Sequence, residues 1–337
     1  MRPFSYDRAT DAQAAVRAAS VRAESHVAAP VQYLGGGTTL LDLMKLDVMR
    51  PSALIDITGL DPKRFGSVEK SAAGLRIGAL ARMADVADNK LVARDYPMLA
   101  QALWLAASQQ IRNMARLGGN VLQRTRCNYF RDTSYAQCNK RDPGSGCAAL
   151  DGHNRLHAIL GTSDQCIATY PGDWAQALIA LDASVELLGA AGPRAIRFAE
   201  LHRAPGKTPH IETALAPGEL ITGFVIPGGP WRRSLYRKIR DRESYEFALA
   251  SAAVALDLDG DNVRDVRIAL GGVATRPWRS AAAEAALKGK PLDEASARAA
   301  AEIAFAGAQT RAHNAYKLPL GKATLVRALL EAKAMEI

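Results

Sequence analysis

The chain has 337 residues, of which 48% are hydrophobic and 23% charged, and this composition excludes an intrinsically disordered protein. The length allows two or three domains, and no apolar run approaches the roughly 18 residues of a membrane helix. The 43 Lys and Arg outnumber the 34 Asp and Glu, but the cations are scattered and no nucleic-acid-binding motif accompanies them. The net charge of +9 therefore favours an anionic ligand or a solvated face over nucleic acid.

The first third of the chain predicts short strands alternating with helices. An amphipathic helix is expected over residues 10–25, and helical periodicity covers residues 80–108 with an interruption at Pro97. A β-like segment ends at Leu34 and runs into a glycine cluster. Further strands are expected around residues 4–6, 53–57 and 75–77.

The last half of the chain predicts a second domain. Residues 174–189 are typical of a helix that leads into a strand, and the breakers at residues 227–230 mark a boundary. Beyond it, strands are expected at residues 234–239, 248–258 and 266–270, followed by helices at residues 280–288, 293–308 and 321–334. Strands followed by helices predict an α+β domain rather than βαβ units.

Between residues 122 and 173 the apolar periodicity disappears. A structureless segment of this length inside a compact domain is uncommon and indicates a function. All four cysteines lie within it, with gaps of 11, 9 and 19 positions: Cys127, Cys138, Cys147 and Cys166. Two disulfides, a structural zinc site and a four-iron cluster all remain open, although zinc normally shows a C-x₂₋₄-C pair that is absent here.

Two glycine-rich segments are candidate binding loops. Gly35-Gly36-Gly37-Thr38-Thr39 follows a strand, so its backbone N–H groups could converge on a pyrophosphate. The pattern is neither a Rossmann fingerprint nor a Walker loop, and a tight strand-to-helix turn explains it equally well. Gly118-Gly119-Asn120 is a second, weaker candidate. His153 and His157 have helical spacing, but Gly152 and the loop context argue against a metal pair.

Taken together, these segments resemble the FAD-binding subunit of the xanthine dehydrogenase family of molybdenum hydroxylases. The chain departs from the family pattern in three places. Gly172 replaces the family's Ser and Glu246 replaces its Asp. In addition, 53 positions separate Asn120 from Asp173, whereas the corresponding residues of most relatives are close in sequence. The resemblance rests on residues 35–41, 75–80, 111–120, 171–178, 236–248 and 269–277.

The insertion that holds the cysteines narrows the resemblance further. Two branches of the family carry a [4Fe–4S] cluster there, the 4-hydroxybenzoyl-CoA reductases and the bacterial periplasmic aldehyde oxidoreductases. The sequences around the four cysteines and at residues 205–214 resemble the aldehyde oxidoreductase branch more closely. A xanthine dehydrogenase-like or 4-hydroxybenzoyl-CoA reductase-like subunit is the alternative.

The resemblance implies an α+β fold in two domains. A two-lobed FAD-binding domain of the vanillyl-alcohol-oxidase type is expected over residues 1–227, with lobes at about 1–58 and 59–227 and the [4Fe–4S] loop at 124–172. A smaller α+β C-terminal domain, like that of the CO dehydrogenase flavoprotein, is expected over residues 228–337.

The resemblance also implies residue roles. Asp173 is expected to hydrogen-bond an adenosine or ribityl hydroxyl, Lys238 to lie by the pyrimidine end of the isoalloxazine, and Ile221 to pack on the ring or in the core. The implied cluster ligands are Cys127, Cys138, Cys147 and Cys166. The implied FAD-binding residues are Gly35, Gly36, Gly37, Thr38, Thr39, Leu40, Gly118, Gly119, Asn120, Asp173, Ile221 and Lys238.

The implied function is electron transfer within a heterotrimer. A large subunit would hold molybdopterin and oxidise an aldehyde, and a small subunit would hold two [2Fe–2S] clusters, so no catalytic residue is expected in this chain. FAD would pass the electrons to an external acceptor, with the [4Fe–4S] cluster acting as relay or as structural clasp. The N-terminal MRPFSYDRAT lacks the apolar region of a secretory signal, so the periplasm would be reached with a signal-bearing partner, the alternative being the cytoplasm.

Two rivals come from other classes of protein. One is a self-standing flavin oxidase, which needs its own substrate base near the flavin. The other is a non-catalytic subunit in which a zinc-clasped loop mediates assembly.

Overall fold

A computed structural model describes residues 1–337 and contains three β-sheets. The strands are β1 (Ser5–Arg8), β2 (Val31–Leu34), β3 (Ala53–Asp56), β4 (Val68–Ser71), β5 (Gly74–Gly78), β6 (Ser184–Gly189), β7 (Gly192–Arg197), β8 (Leu220–Pro227), β9 (Ser234–Ile239), β10 (Ala250–Asp259), β11 (Asn262–Gly271) and β12 (Trp278–Arg279).

Most helices are short. They are α1 (Ala12–Ala19), α2 (Leu40–Lys45), α3 (Pro62–Phe65), α4 (Met83–Ala87), α5 (Lys90–Asp95), α6 (Pro97–Trp104), α7 (Gln109–Met114), α8 (Leu117–Val121), α9 (Asn128–Arg131), α10 (Trp174–Ala180), α11 (Phe198–Leu201), α12 (Ala281–Leu287), α13 (Glu294–Ala304) and α14 (Lys317–Lys333). No helix combines the length and the apolar character needed to cross a bilayer.

The N-terminal lobe is a small parallel sheet in the order β1-β3-β2. Ala53 lies opposite both Ser5 and Val31, which places β3 at the centre. The predicted helix over residues 10–25 is wrong in length, because α1 ends at Ala19. Both the backbone N–H and the hydroxyl of Ser20 bond to Val16 O, and a 3₁₀ turn at His26–Ala28 follows.

The second lobe is an antiparallel sheet in the order β4-β5-β8-β6-β7. Helices α4, α5, α6 and α10 contribute to its core of 40 buried residues. The predicted interruption at Pro97 is confirmed, because Pro97 begins α6, but the part before it forms two helices, α4 and α5, since the Asn89 side chain caps α5. The sequence analysis missed β8, although that strand joins β5 to β6.

The C-terminal part is an antiparallel sheet in the order β12-β11-β10-β9. Helices α12, α13 and α14 cover it, and α14 packs on β10 and β9. The predicted strands and helices of this part are confirmed within a few residues. Its alanines Ala253, Ala255 and Ala269 also belong to the core of the second lobe, so apolar packing continues across the boundary between the two parts.

The irregular segment at residues 122–173 packs against the N-terminal lobe and the C-terminal sheet. It contains only one helical turn, α9, and an isolated bridge between Cys138 and Cys147. Phe130 packs with the N-terminal lobe, whereas Ile159 and Leu160 belong to the core of the C-terminal sheet, where both donate backbone hydrogen bonds to Val273 O. Tertiary contacts, rather than regular secondary structure, therefore order the segment.

Candidate flavin cleft and cysteine cluster

A cleft that is partly open to solvent is lined by residues of both N-terminal lobes. The two predicted glycine segments, far apart in sequence, meet in it. The predicted FAD-binding residues that line the cleft are Gly35, Gly36, Gly37, Thr38, Thr39, Leu40, Gly118, Gly119 and Ile221.

The first glycine loop presents an uninterrupted row of free donors. None of the six backbone N–H groups from Gly35 to Leu40 donates a hydrogen bond within the chain. Gly37 has a φ of +74°, a backbone conformation that favours glycine. Free N–H groups that line a cleft fit an anion such as a pyrophosphate.

The two glycine loops are in close contact. A Cβ on Gly36 would lie 2.0 Å from the carbonyl oxygen of Met114, so only glycine fits there. Gly118 donates its N–H to Ala79 O at 2.8 Å, which ties the second loop to the end of β5. Arg116, between the loops, donates to Leu80 O at 3.0 Å, but its buried Nε has no partner.

A buried histidine adds an acceptor to the cleft. The Nε2 of His202 donates to Val121 O at 2.8 Å, and the buried Nδ1 has no partner. Burial lowers the pKa of His202 to about 4, so the ring is neutral at pH 7 and Nδ1 carries a lone pair. Such an acceptor fits a ligand N–H or O–H.

The structure places Asp173, Lys238 and Asn120 outside the lining of the cleft. Lys238 Nζ donates to Asp173 Oδ2 at 2.8 Å and to Leu105 O at 3.0 Å, and the Tyr236 hydroxyl donates to Asp173 Oδ1 at 2.7 Å. The two charged side chains are only 1% and 5% exposed. The two side chains pair with each other because a buried charge needs a partner, and their expected contacts with flavin stay a prediction.

Asn120 ends the second glycine segment, and its backbone N–H donates to Arg116 O at 2.8 Å. Its Nδ2 donates to Met83 Sδ at 3.4 Å, and its buried Oδ1 has no partner. The side chain faces the core beneath α8 rather than the cleft.

The four cysteines are free thiols that lie close enough to influence one another electrostatically. Burial raises the pKa of Cys127 to about 12 and of Cys166 to about 11. No group of three His, Cys, Asp or Glu is arranged to hold a single metal ion. The backbone N–H of Ala168 donates a hydrogen bond to Cys166 Sγ at 3.4 Å.

The cysteine segment borders the flavin cleft. Cys166 lines the cleft, as do the side chains of a buried ion-pair group that the sequence analysis missed. In that group Arg124 Nε donates to Glu212 Oε1 at 2.7 Å, and Lys140 Nζ lies 3.5 Å from Glu212 Oε2. Burial opposes ionisation of Glu212, but the two cations lower its pKa overall.

Sequence reasoning also missed Arg116 and His202. Arg116 lies between two segments already singled out, residues 111–113 and 118–120, so its position was a usable signal. His202 follows α11 and carries no local pattern, because only the fold brings it to the cleft.

The glycine cradle and its cleft fit a ligand that carries a pyrophosphate, as a dinucleotide does. Comparison with known families makes the class specific. The model of the FAD binding domain in molybdopterin dehydrogenase matches residues 2–229, and that of the CO dehydrogenase flavoprotein C-terminal domain matches residues 234–332. The chain belongs to the family of FAD-binding medium subunits of the molybdenum hydroxylases.

Individual relatives agree with this family. The chain is 48% identical over 336 residues to the aldehyde oxidoreductase FAD-binding subunit PaoB of Escherichia coli (strain K12), covering 99% of both chains. It is 27% identical over 261 residues to the glyceraldehyde dehydrogenase medium chain of Sulfolobus acidocaldarius, covering 77% of this chain and 74% of that one.

Solved structures support the fold. A chain of the CO dehydrogenase from Oligotropha carboxidovorans superposes with a TM-score of 0.76 at 23% identity and full coverage of both chains. A chain of the enzyme from Hydrogenophaga pseudoflava gives 0.75 at 25% identity, covering 99% and 98%. The predicted fold class is confirmed, a two-lobed FAD-binding domain followed by a smaller α+β C-terminal domain.

Proposed function

We propose that this chain is the FAD-binding electron-transfer subunit of a molybdenum-containing aldehyde oxidoreductase. The substrate class is supported by 48% identity along 99% of the PaoB subunit of an aldehyde oxidoreductase. In this proposal the chain forms a heterotrimer with a large molybdopterin subunit and a small subunit that carries two [2Fe–2S] clusters. The aldehyde is oxidised on the large subunit, and the electrons leave through this chain to an external acceptor.

The row of free N–H groups from Gly35 to Leu40 is the observation that carries the flavin part of this proposal. These donors would hold the FAD pyrophosphate, and the close contact of Gly36 with Met114 fixes their direction. Ile221 is buried in the wall of the cleft and offers an apolar surface to the ring. When bound, FAD supplies the conversion between two-electron and one-electron transfer.

The four cysteines are proposed to hold a [4Fe–4S] cluster. Each thiolate of such a cluster binds a different iron, so the sulfurs are spread more widely than around a single ion. This agrees with four mutually interacting thiols that form no single-ion site. The backbone N–H of Ala168, which donates to Cys166 Sγ, would stabilise that thiolate. The cysteine segment packs on both lobes and on the C-terminal sheet. This packing supports a structural role for the cluster, in addition to any role in electron transfer.

The proposed compartment is the periplasm, reached in complex with a partner subunit that carries the export signal. Cell fractionation with and without that signal tests this point. The chain is expected to move to the cytoplasmic fraction when the partner's signal is deleted, and a chain that stays periplasmic would contradict co-export.

The decisive experiment is cofactor analysis of the co-expressed complex, purified without oxygen. One FAD and roughly eight irons per heterotrimer are expected, about four from this chain and about four from the two [2Fe–2S] clusters, with dye reduction that depends on an aldehyde. FAD together with zinc would support the flavoprotein assignment and contradict the iron–sulfur cluster. A folded chain without flavin would favour the hypothesis of a non-catalytic assembly subunit. Substrate oxidation by the isolated chain would favour a self-standing oxidase, and reduction by xanthine or 4-hydroxybenzoyl-CoA alone would select another branch of the family.

A further inference from the structure

One side chain makes a hydrogen bond to a cysteine sulfur. His157 Nε2 lies 3.1 Å from Cys127 Sγ, and no other side chain in the structure contacts a cysteine sulfur in this way. His157 is only 4% exposed, and its other ring nitrogen, Nδ1, is buried without a partner. The contact is therefore the only polar interaction of the ring.

The position of the ring is fixed by the backbone that carries it. The amide of the fully buried Asn314 reaches the carbonyl oxygens of His157 and Ala158, at 3.5 and 3.2 Å. Lys317 Nζ donates to Leu156 O at 3.1 Å and to Gly272 O, which ties the same stretch to the C-terminal sheet. The imidazole is thus held against Cys127 by the start of α14 and the turn before it.

Cys127 differs from Cys166 in the group that contacts its sulfur. Cys166 Sγ accepts a hydrogen bond from the backbone N–H of Ala168 at 3.4 Å, whereas the partner of Cys127 Sγ is the imidazole of His157.

We propose that His157 is a positioning residue that sets the reduction potential of the cluster by donating Nε2–H to the sulfur of Cys127. The inference rests on the proposed [4Fe–4S] site. A ligand thiolate can only accept a hydrogen bond, so the ring proton lies on Nε2. Reduction adds negative charge to the cluster and its sulfurs, so the bond is stronger in the reduced state and raises the potential.

The test is a redox titration of the intact complex, followed by electron paramagnetic resonance of the reduced cluster. His157→Phe keeps the ring shape but removes the donor, and we expect the wild-type iron content of the complex and a more negative midpoint potential of the [4Fe–4S] cluster. His157→Gln restores a donor and should recover part of the shift. His153→Gln is the matched control, because His153 is exposed in the same segment and should leave the potential unchanged.

A second measurement covers the case in which His157→Phe fails to assemble. In wild-type protein labelled with ¹⁵N-histidine, the reduced cluster should show hyperfine coupling to one imidazole nitrogen. Full iron content with no such coupling, or an unchanged potential in His157→Phe, would overturn the inference. A wild-type complex with only about four irons, those of the two [2Fe–2S] clusters, would instead overturn the proposed [4Fe–4S] cluster, so the two failures are distinguishable.

Discussion

The ion pair between Asp173 and Lys238 joins the second lobe to the C-terminal sheet, and we expect it to behave as a buried unit. Lys238→Met would leave the Asp173 carboxylate buried with only the Tyr236 hydroxyl as donor. Asp173→Asn would leave the ammonium with a single carbonyl acceptor, Leu105 O. Removing one partner of a buried pair costs about 3–5 kcal/mol, so each single variant should lose about that much free energy of unfolding.

The double variant separates pairing from packing. Asp173→Asn combined with Lys238→Met leaves no uncompensated charge, and the Tyr236 hydroxyl can still donate to the amide oxygen of the new residue. We therefore expect the double variant to cost less than the sum of the single variants by about 2–3 kcal/mol. Arg237→Met is the matched control on the same strand, because its pair with Glu331 is about one-third exposed and should contribute less than about 1 kcal/mol.

Urea unfolding of the four variants and the wild type, followed by circular dichroism, measures these differences. A loss below about 1 kcal/mol for Lys238→Met would show that the pair is not buried in solution. Additive losses in the double variant would refute the coupling. Flavin content should remain near the wild-type value in the folded variants, because neither side chain lines the cleft.

Three further predictions follow from the cleft and the cysteine segment. Gly36→Ala places a Cβ 2.0 Å from Met114 O and should lower the FAD content at least roughly tenfold, measured by absorbance after gel filtration. Gly307→Ala is the control and should retain flavin, because its Cβ meets nothing within 4 Å. The pKa of His202 is about 4 in the folded state and about 6.5 in the unfolded state, so the unfolded state binds more protons between these pH values. The free energy of unfolding should therefore fall by about 3 kcal/mol as the pH drops from 6.5 to 4. If His202→Gln showed the same slope of unfolding free energy against pH, this prediction would be wrong. Cys138→Ser should reduce iron per chain while Ser134→Ala, in the same segment, keeps it, and equal iron in both would exclude Cys138 as a ligand.

Local patterns in the sequence determined much of this architecture. Glycine runs, breakers and alternating apolar residues depend on neighbours in the chain, so they predicted the loop at residues 35–39 and the order of strands and helices after residue 230. The irregular cysteine segment was also recognisable, because periodicity that is absent over 50 residues is itself a local signal.

The contacts that decide the chemistry are long-range and were not readable from the sequence. Gly36 meets Met114 across 78 positions (114 − 36), His157 meets Cys127 across 30, and Lys238 meets Asp173 across 65. The family resemblance implied a flavin contact for Lys238, but its partner in the structure follows from the packing of β9 on α6 and of α10 on β10 and β11. A charged side chain takes the nearest compensating group once it is desolvated, and only the tertiary fold determines which group that is.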